Sequence, residues 1–137
     1  MITSKITDQK ITTEELTNDV ISLSSGAIVV FGGNVRNYDK GRGVRALSYE
    51  IHPTTAQKLN SIATEVMDIH DVEAISIAHR FGSIPMGESA FVVAVAAAHR
   101  APAFACCEEL VERVKTELPI WKFQEFEDGT SEWVNSA

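Results

Sequence analysis

The sequence has few of the residues that mark disulfide-bonded or metal-binding proteins. Its only cysteines, Cys106 and Cys107, are adjacent. Neighbours in a helix point about 100° apart, so a mutual disulfide is not expected, and no Cys-x-x-Cys pair or other metal-ligand spacing occurs. We therefore expect structural thiols, with Cys107 in the core and Cys106 on its flank. We expect no metal and no organic cofactor in the protein itself.

A long apolar run is also absent. No stretch approaches the ~20 apolar residues of a membrane helix, and Met1–Lys5 lacks the apolar core of a signal peptide. These absences predict a cytoplasmic protein that does not bind a membrane. The 137 residues are 45% hydrophobic and 23% charged, which predicts one domain over 1–137 with a core of its own.

Positive charge is scarce as well. The net charge of −7 argues against a nucleic-acid partner. The basic residues are nevertheless grouped, in one loop and at the ends of predicted elements: Arg36, Lys40, Arg42, Arg45, Arg100, Lys115 and Lys122. Local basic groups on an acidic chain indicate a small anionic ligand rather than a polyanion.

Hydrophobic periodicity predicts an α+β domain with three main helices, a mixed sheet and a C-terminal hairpin. The first helix opens at a Thr12–Glu15 capping box and is expected to end near Ser24-Ser25-Gly26. The second helix starts at Pro53-Thr54-Thr55 and the third spans Ala101–Leu118. The predicted strands are Ser4–Ile11, Gly26–Val35, Val44–Ile51, Val72–Ala78, Phe91–Ala98, and a hairpin of Ile120–Glu127 with Glu132–Val134 turned at Asp128-Gly129. Phe81–Glu88 is interpreted as a turn-rich, mainly structural connection.

The end of the third helix carries the strongest chemical signal. Pro119 stops this helix. Rotation by about 100° per residue places Lys115 near the predicted core-facing side, which comprises Phe104, Cys107, Val111, Val114 and Leu118. A cation there either snorkels along apolar surface and complements the helix dipole, or lines an anion-binding pocket. Lys122 follows the turn and can reach the same neighbourhood.

Two further segments suit anion binding. The Gly-rich segment Phe31–Asn37 ends a strand and presents Arg36, whose guanidinium can hold phosphate or carboxylate in a bidentate manner. At Ala97–Pro102 a buried strand meets a helix N-terminus that carries His99 and Arg100. Free N–H groups, the helix dipole and these side chains form a potential anion site, and an imidazole can transfer protons near neutral pH. The alternatives are a simple bend, a capping His99 and an Arg100 paired with an acid.

Taken in order, these motifs resemble the large, catalytic subunit of molybdopterin synthase, the MoaE family. The matching segments run from Gly26 to Val134 in the family's order and spacing. They are Gly26–Asn37, Tyr49–Pro53, His79–Gly82, Gly87-Glu88, Ala98–Arg100, Lys115, Pro119–Lys122, Asp128-Gly129 and Trp133-Val134.

The resemblance implies an α/β hammerhead-type fold and a sulfurtransferase of molybdenum cofactor biosynthesis. Sulfur would pass from the C-terminal Gly-Gly thiocarboxylate of a small ubiquitin-like subunit to cyclic pyranopterin monophosphate, forming the dithiolene of molybdopterin. The implied assembly is a homodimer of this chain within a heterotetramer. The implied catalytic residues are Lys115, Lys122 and His99, and the implied substrate-binding residues are these three with Arg36 and Arg100.

The length of the third helix adds a geometric expectation. About 16 helical residues span about 24 Å, with His99 and Arg100 at one end and Lys115 at the other. We therefore expect each active site to combine Lys115 and Lys122 of one protomer with His99 and Arg100 of its dimer mate. The alternatives are a non-catalytic α+β module that binds a phosphorylated metabolite, and a purely structural subunit.

Overall fold

Three helices and nine strands make up the described part of the chain, residues 1–135, in the computed structural model. The helices are α1 (Thr13–Val20), α2 (Thr55–Ile69) and α3 (Arg100–Glu117). The strands are β1 (Ile2–Thr7), β2 (Ala27–Asn34), β3 (Tyr38–Asp39), β4 (Arg42–Ile51), β5 (Ala74–Arg80), β6 (Gly82–Ile84), β7 (Ser89–Ala97), β8 (Ile120–Phe126) and β9 (Ser131–Val134). The α+β prediction is confirmed. The predicted domain includes residues 136 and 137, which lie outside the described residues.

The first sheet is mixed and has the order β1-β5-β7-β2. β1 runs parallel to β5, whereas β7 pairs antiparallel with both β5 and β2. β7 is a continuous apolar run, the pattern of a strand covered on both faces. Helix α1 packs on one face, while α2 and α3 contact the sheet on the side of the larger core cluster.

The second sheet has the order β3-β4-β8-β9, with β6 also paired to β4. β4 and β8 pair antiparallel from Val44↔Phe126 to Ile51↔Ile120. The predicted hairpin of β8 and β9 is confirmed, and its turn contains Gly129 at φ 89°, a conformation that glycine adopts without strain. This sheet brings β8, which follows α3, beside the ends of the first sheet.

The buried side of α3 is centred on Leu110 rather than on Val111. Its fully or nearly buried residues are Ala103, Cys106, Cys107, Leu110, Val111 and Val114. Two predictions were therefore wrong: Phe104 is 61% exposed, and Cys106 lies in the core instead of on its flank. Lys115 also lies off the buried stripe, in the exposed last turn of the helix. A rotation of one residue position explains all three differences, since each residue turns the helix by about 100°.

Both thiols are buried within the described core. Burial raises the pKa of Cys106 to about 12 and that of Cys107 to about 11. A thiol that stays protonated is a poor nucleophile, so the structural interpretation of both cysteines agrees with their surroundings.

Several predicted boundaries differ from the structure. The first strand lies at Ile2–Thr7 rather than Ser4–Ile11, and α1 ends at Val20 rather than near Ser24. After α1 the chain is no longer helical, and the hydroxyls of Ser24 and Ser25 donate hydrogen bonds to the carboxylate of Glu73. The basic loop contains the short strand β3, and the connection predicted over Phe81–Glu88 contains β6.

The capping box at the start of α1 is half formed. The Thr12 hydroxyl accepts a hydrogen bond from the backbone N–H of Glu15 at 3.1 Å, as predicted. The Glu15 carboxylate instead pairs with Lys5 of β1 at 2.5 Å. No helix within residues 1–135 has the length and apolarity that crossing a membrane requires.

Candidate functional site

A cavity of about 180 Å³ lies where the two sheets meet the last turn of α3. The ends of β2, β5 and β7 form one side, and β4 and β8 form the other. Its lining includes both apolar and charged side chains: Phe31, Gly33, Asn34, Val35, Arg36, Tyr38, Asp39, Leu47, Tyr49, His79, Ala90, Phe91, Lys115, Lys122 and Gln124.

Three of the five predicted site residues line this cavity. Arg36 follows β2, Lys115 stands in the last turn of α3, and Lys122 lies on β8. Pro119 produces this arrangement, because it ends α3 and turns the chain directly into β8. The structure thus brings three cations from separate elements to one cavity, which suits an anionic ligand.

Lys122 is the most enclosed of these cations. It lies opposite Tyr49 of β4 in the sheet and is half-buried. Burial lowers the pKa of its ammonium group; the positive charges of Lys115 and Arg36 act in the same direction, and the carboxylate of Asp39 opposes them. An ammonium group that is incompletely solvated interacts strongly with an incoming anion.

His79, at the end of β5, also lines the cavity, and its ring is fully buried. Its Nδ1–H donates to the carbonyl oxygen of Arg80 at 2.8 Å, and its Nε2 has no hydrogen-bond partner among the described residues. The ring stacks on Phe91 and meets Tyr49 edge-on. Burial lowers the pKa of His79 to about 4, and the charge of Lys115 adds to that effect. The ring is therefore neutral at pH 7.

His99 and Arg100 lie at the opposite end of α3 and do not line the cavity. His99 occupies the N-cap position, but its side chain makes no capping hydrogen bond. Both side chains are exposed. The 15 residues from Arg100 to Lys115 correspond to about 22 Å of helix, so one protomer does not bring the two ends together.

Four of the polar lining residues were not among the predicted site residues: Asp39, Tyr49, His79 and Gln124. Tyr49 and His79 stand in motifs of the family resemblance, and His79 also follows the end of a predicted strand. Asp39 and Gln124 carry no local signal, because they are 85 positions apart and meet only through sheet pairing. Among residues 1–135, no group of three or more His, Cys, Asp or Glu side chains is arranged to hold a metal ion.

Comparison with known proteins agrees with this architecture. The family model described as MoaE protein matches residues 6–117. The molybdopterin synthase catalytic subunit of Neosartorya fischeri is 46% identical over 113 residues, covering 82% of this chain and 60% of that protein. Molybdopterin synthase catalytic subunit 1 of Mycobacterium tuberculosis is 37% identical over 131 residues, covering 95% and 88%.

A solved structure gives the same result. The crystal structure of molybdopterin synthase from Staphylococcus aureus superposes with a TM-score of 0.86 at 35% identity, covering 94% of both chains. This chain spans about 60% of the length of the fungal relative. The resemblance inferred from the motifs is confirmed: by sequence and by fold, this chain belongs to the MoaE family.

Proposed function

We propose that this protein is the catalytic subunit of a molybdopterin synthase and acts in the cytoplasm as a sulfurtransferase. It would transfer sulfur from the C-terminal thiocarboxylate of a small ubiquitin-like subunit to cyclic pyranopterin monophosphate, forming the dithiolene of molybdopterin. The observation that carries this proposal is the convergence of Arg36, Lys115 and Lys122 on one cavity in a chain of the MoaE family.

The chemistry of the cavity suits these reactants. The sulfur donor carries a thiocarboxylate and the acceptor carries a phosphate, so both are anionic. Cations on partly apolar walls neutralise such groups and stabilise charge that develops during transfer. In our proposal Lys115 contacts the thiocarboxylate or the acyl group it leaves, Lys122 holds the pterin, and Arg36 binds phosphate.

The same proposal assigns the other end of α3 to the neighbouring protomer's site. His99 serves as a proton donor or acceptor, and Arg100 is a second phosphate ligand. Support comes from their exposure at the helix N-terminus, about 22 Å from Lys115 along the helix. The proposed assembly is a central homodimer with one small subunit bound to each protomer.

Reconstituted turnover tests the proposal. The chain is mixed with the thiocarboxylated small subunit and cyclic pyranopterin monophosphate, and formation of the dithiolene pterin is followed. We expect product from the wild type and a loss of at least about 100-fold with Lys115→Ala, the scale on which removing one transition-state contact acts. Lys58→Ala is the matched control, because Lys58 pairs with Glu117 outside the cavity.

Three other results would contradict the proposed function or the role of Lys115. A folded wild-type chain that binds the small subunit but forms no product contradicts the synthase proposal. Tight binding of a phosphorylated metabolite without turnover favours the binding module. Equal activities of Lys115→Ala and Lys58→Ala contradict the role assigned to Lys115.

A further inference from the structure

Asp39 is the one acidic residue among the described side chains that line the cavity. It belongs to the two-residue strand β3, where it lies opposite Arg42 of β4. Its side chain is only 19% exposed. A carboxylate on the wall of an anion-binding cavity weakens the binding of any anion, so its position calls for a physical reason.

One oxygen of Asp39 is held by the second sheet. Gln124, which is nearly fully buried on β8, donates from Nε2 to Asp39 Oδ2 at 3.0 Å and to Glu132 Oε1 of β9 at 3.1 Å. Gln124 is two positions after Lys122, so both side chains lie on the same face of β8. The carboxylate is thereby fixed beside the lysine.

The other oxygen faces an exposed cation of the cavity, Arg36. Asp39 Oδ1 lies 3.5 Å from the Arg36 guanidinium, whose side chain is 76% exposed. A long ion pair whose arginine is exposed to solvent contributes little free energy, so Arg36 can leave it readily. Hydrogen bonding by Gln124 and the charge of Lys122 both lower the pKa of Asp39, which keeps the group ionised at neutral pH.

We propose that Asp39 is a positioning residue that competes with the ligand's phosphate for Arg36 and Lys122. In the unliganded cavity the Asp39 carboxylate holds the Arg36 and Lys122 cations in place. When phosphate binds, it pairs with Arg36 in place of Asp39, and the carboxylate stays hydrogen-bonded to Gln124. Asp39 thereby limits phosphate affinity and promotes release of a phosphorylated product. This inference rests on the proposed function, since it gives the cavity a phosphorylated ligand.

Direct binding of inorganic phosphate tests the inference without any sulfur donor. Asp39→Asn removes the charge and keeps an oxygen that can accept from Gln124. We expect it to bind phosphate about tenfold more tightly than the wild type, the order expected when one nearby unit charge, partly screened by salt, is removed. The gain should shrink when the titration is repeated at high salt.

Asp128→Asn is the matched control. Asp128 also lies 3.5 Å from an arginine, Arg42, and its replacement changes the net charge equally, but it stands in the β8–β9 turn outside the cavity. We expect its phosphate affinity to stay within about twofold of the wild type, because a distant exposed charge is screened. Asp39→Ser serves as the second charge-removing variant if Asp39→Asn does not fold.

Three results would overturn the inference, and a fourth would support it while rejecting the proposed function. Unchanged or weaker binding by the folded Asp39 variant overturns it, as does equal tightening by Asp128→Asn, which would indicate a net-charge effect. No phosphate binding by the wild type or either variant also overturns it. A wild type that binds phosphate, with the expected tightening, but forms no dithiolene rejects the proposed function and supports the role of Asp39 as a competitor for phosphate.

Discussion

At the scale of single residues, the cavity combines neutral and positively charged side chains. His79 is a neutral ring whose buried Nε2 has no hydrogen-bond partner within residues 1–135, whereas Lys115 and Lys122 bring positive charge to the same space. Protonating His79 would bury a further cation beside them, which explains the direction in which its pKa is displaced. At neutral pH the His79 ring thus adds no charge to the cavity.

His79 should make the stability of the fold depend on pH. Its pKa is about 4 in the folded chain and about 6.5 when unfolded, so between these values the unfolded chain binds the extra proton. The free energy of unfolding therefore decreases as the pH falls, by about 2 kcal/mol between pH 7 and pH 5 from this group. In His79→Phe that contribution should be absent, as measured by urea unfolding at both pH values.

The exposed ring of His52 supplies the comparison for this experiment. His52→Phe makes the same exchange at the surface and should retain the wild-type dependence on pH. If the stability of His79→Phe declines between pH 7 and pH 5 as steeply as that of the wild type, burial of a neutral His79 is not a source of the acid sensitivity.

At the scale of elements, α2 is tied to the turn that positions Lys122. Thr55, the first residue of α2, is fully buried. Its hydroxyl oxygen accepts from the His52 N–H at 2.8 Å, and its O–H donates to the carbonyl oxygen of Pro119 at 2.7 Å. One hydroxyl thus joins the end of β4, the start of α2 and the α3–β8 connection.

Replacing that hydroxyl should destabilise the domain. Thr55→Val keeps the shape but removes both hydrogen bonds, to the His52 N–H and to the Pro119 carbonyl, and the loss of one such bond costs about 1 kcal/mol. The measurement is the change in the free energy of unfolding in urea. Thr64→Val is the control: Thr64 is exposed and its hydroxyl only returns to the Asn60 carbonyl of its own helix. Equal effects of the two replacements would contradict this role for Thr55.

At the scale of the whole molecule, the residues predicted to form one site lie at the two ends of α3. Lys115 faces the cavity formed by this chain, whereas His99 and Arg100 stand exposed at the other end. A helix is a rigid spacer of 1.5 Å per residue, so a shared site needs a second copy of the chain. The proposed homodimer supplies that copy.

Complementation between inactive variants tests this arrangement. A heterodimer of Lys115→Ala and His99→Ala contains one site with both residues intact and one site with neither. We expect turnover to reappear in purified heterodimers, while each variant homodimer stays inactive. Verified heterodimers that are no more active than the homodimers would show that the two residues do not share a site.

Local sequence determined most of the elements and part of the site. The unbroken apolar run of β7 indicates a strand covered on both faces, and the 3.6-residue period of α2 indicates a helix with one buried face. Both elements were predicted without knowledge of the fold. Pro119 between Lys115 and Lys122 likewise places two cations on either side of a helix end. Short-range rules suffice here because the residues concerned are close in the chain.

Only the tertiary structure decided the rest of the cavity. The meeting of Asp39 with Gln124 depends on the joining of β3 and β8 through β4, and the presence of His79 and Lys115 in one cavity depends on the packing of α3 against the first sheet. The rotation that exposes Phe104 and buries Cys106 was settled by the same packing. Hydrophobic periodicity locates the buried side of a helix only to within one residue position. Contacts with the sheet decide which side is buried.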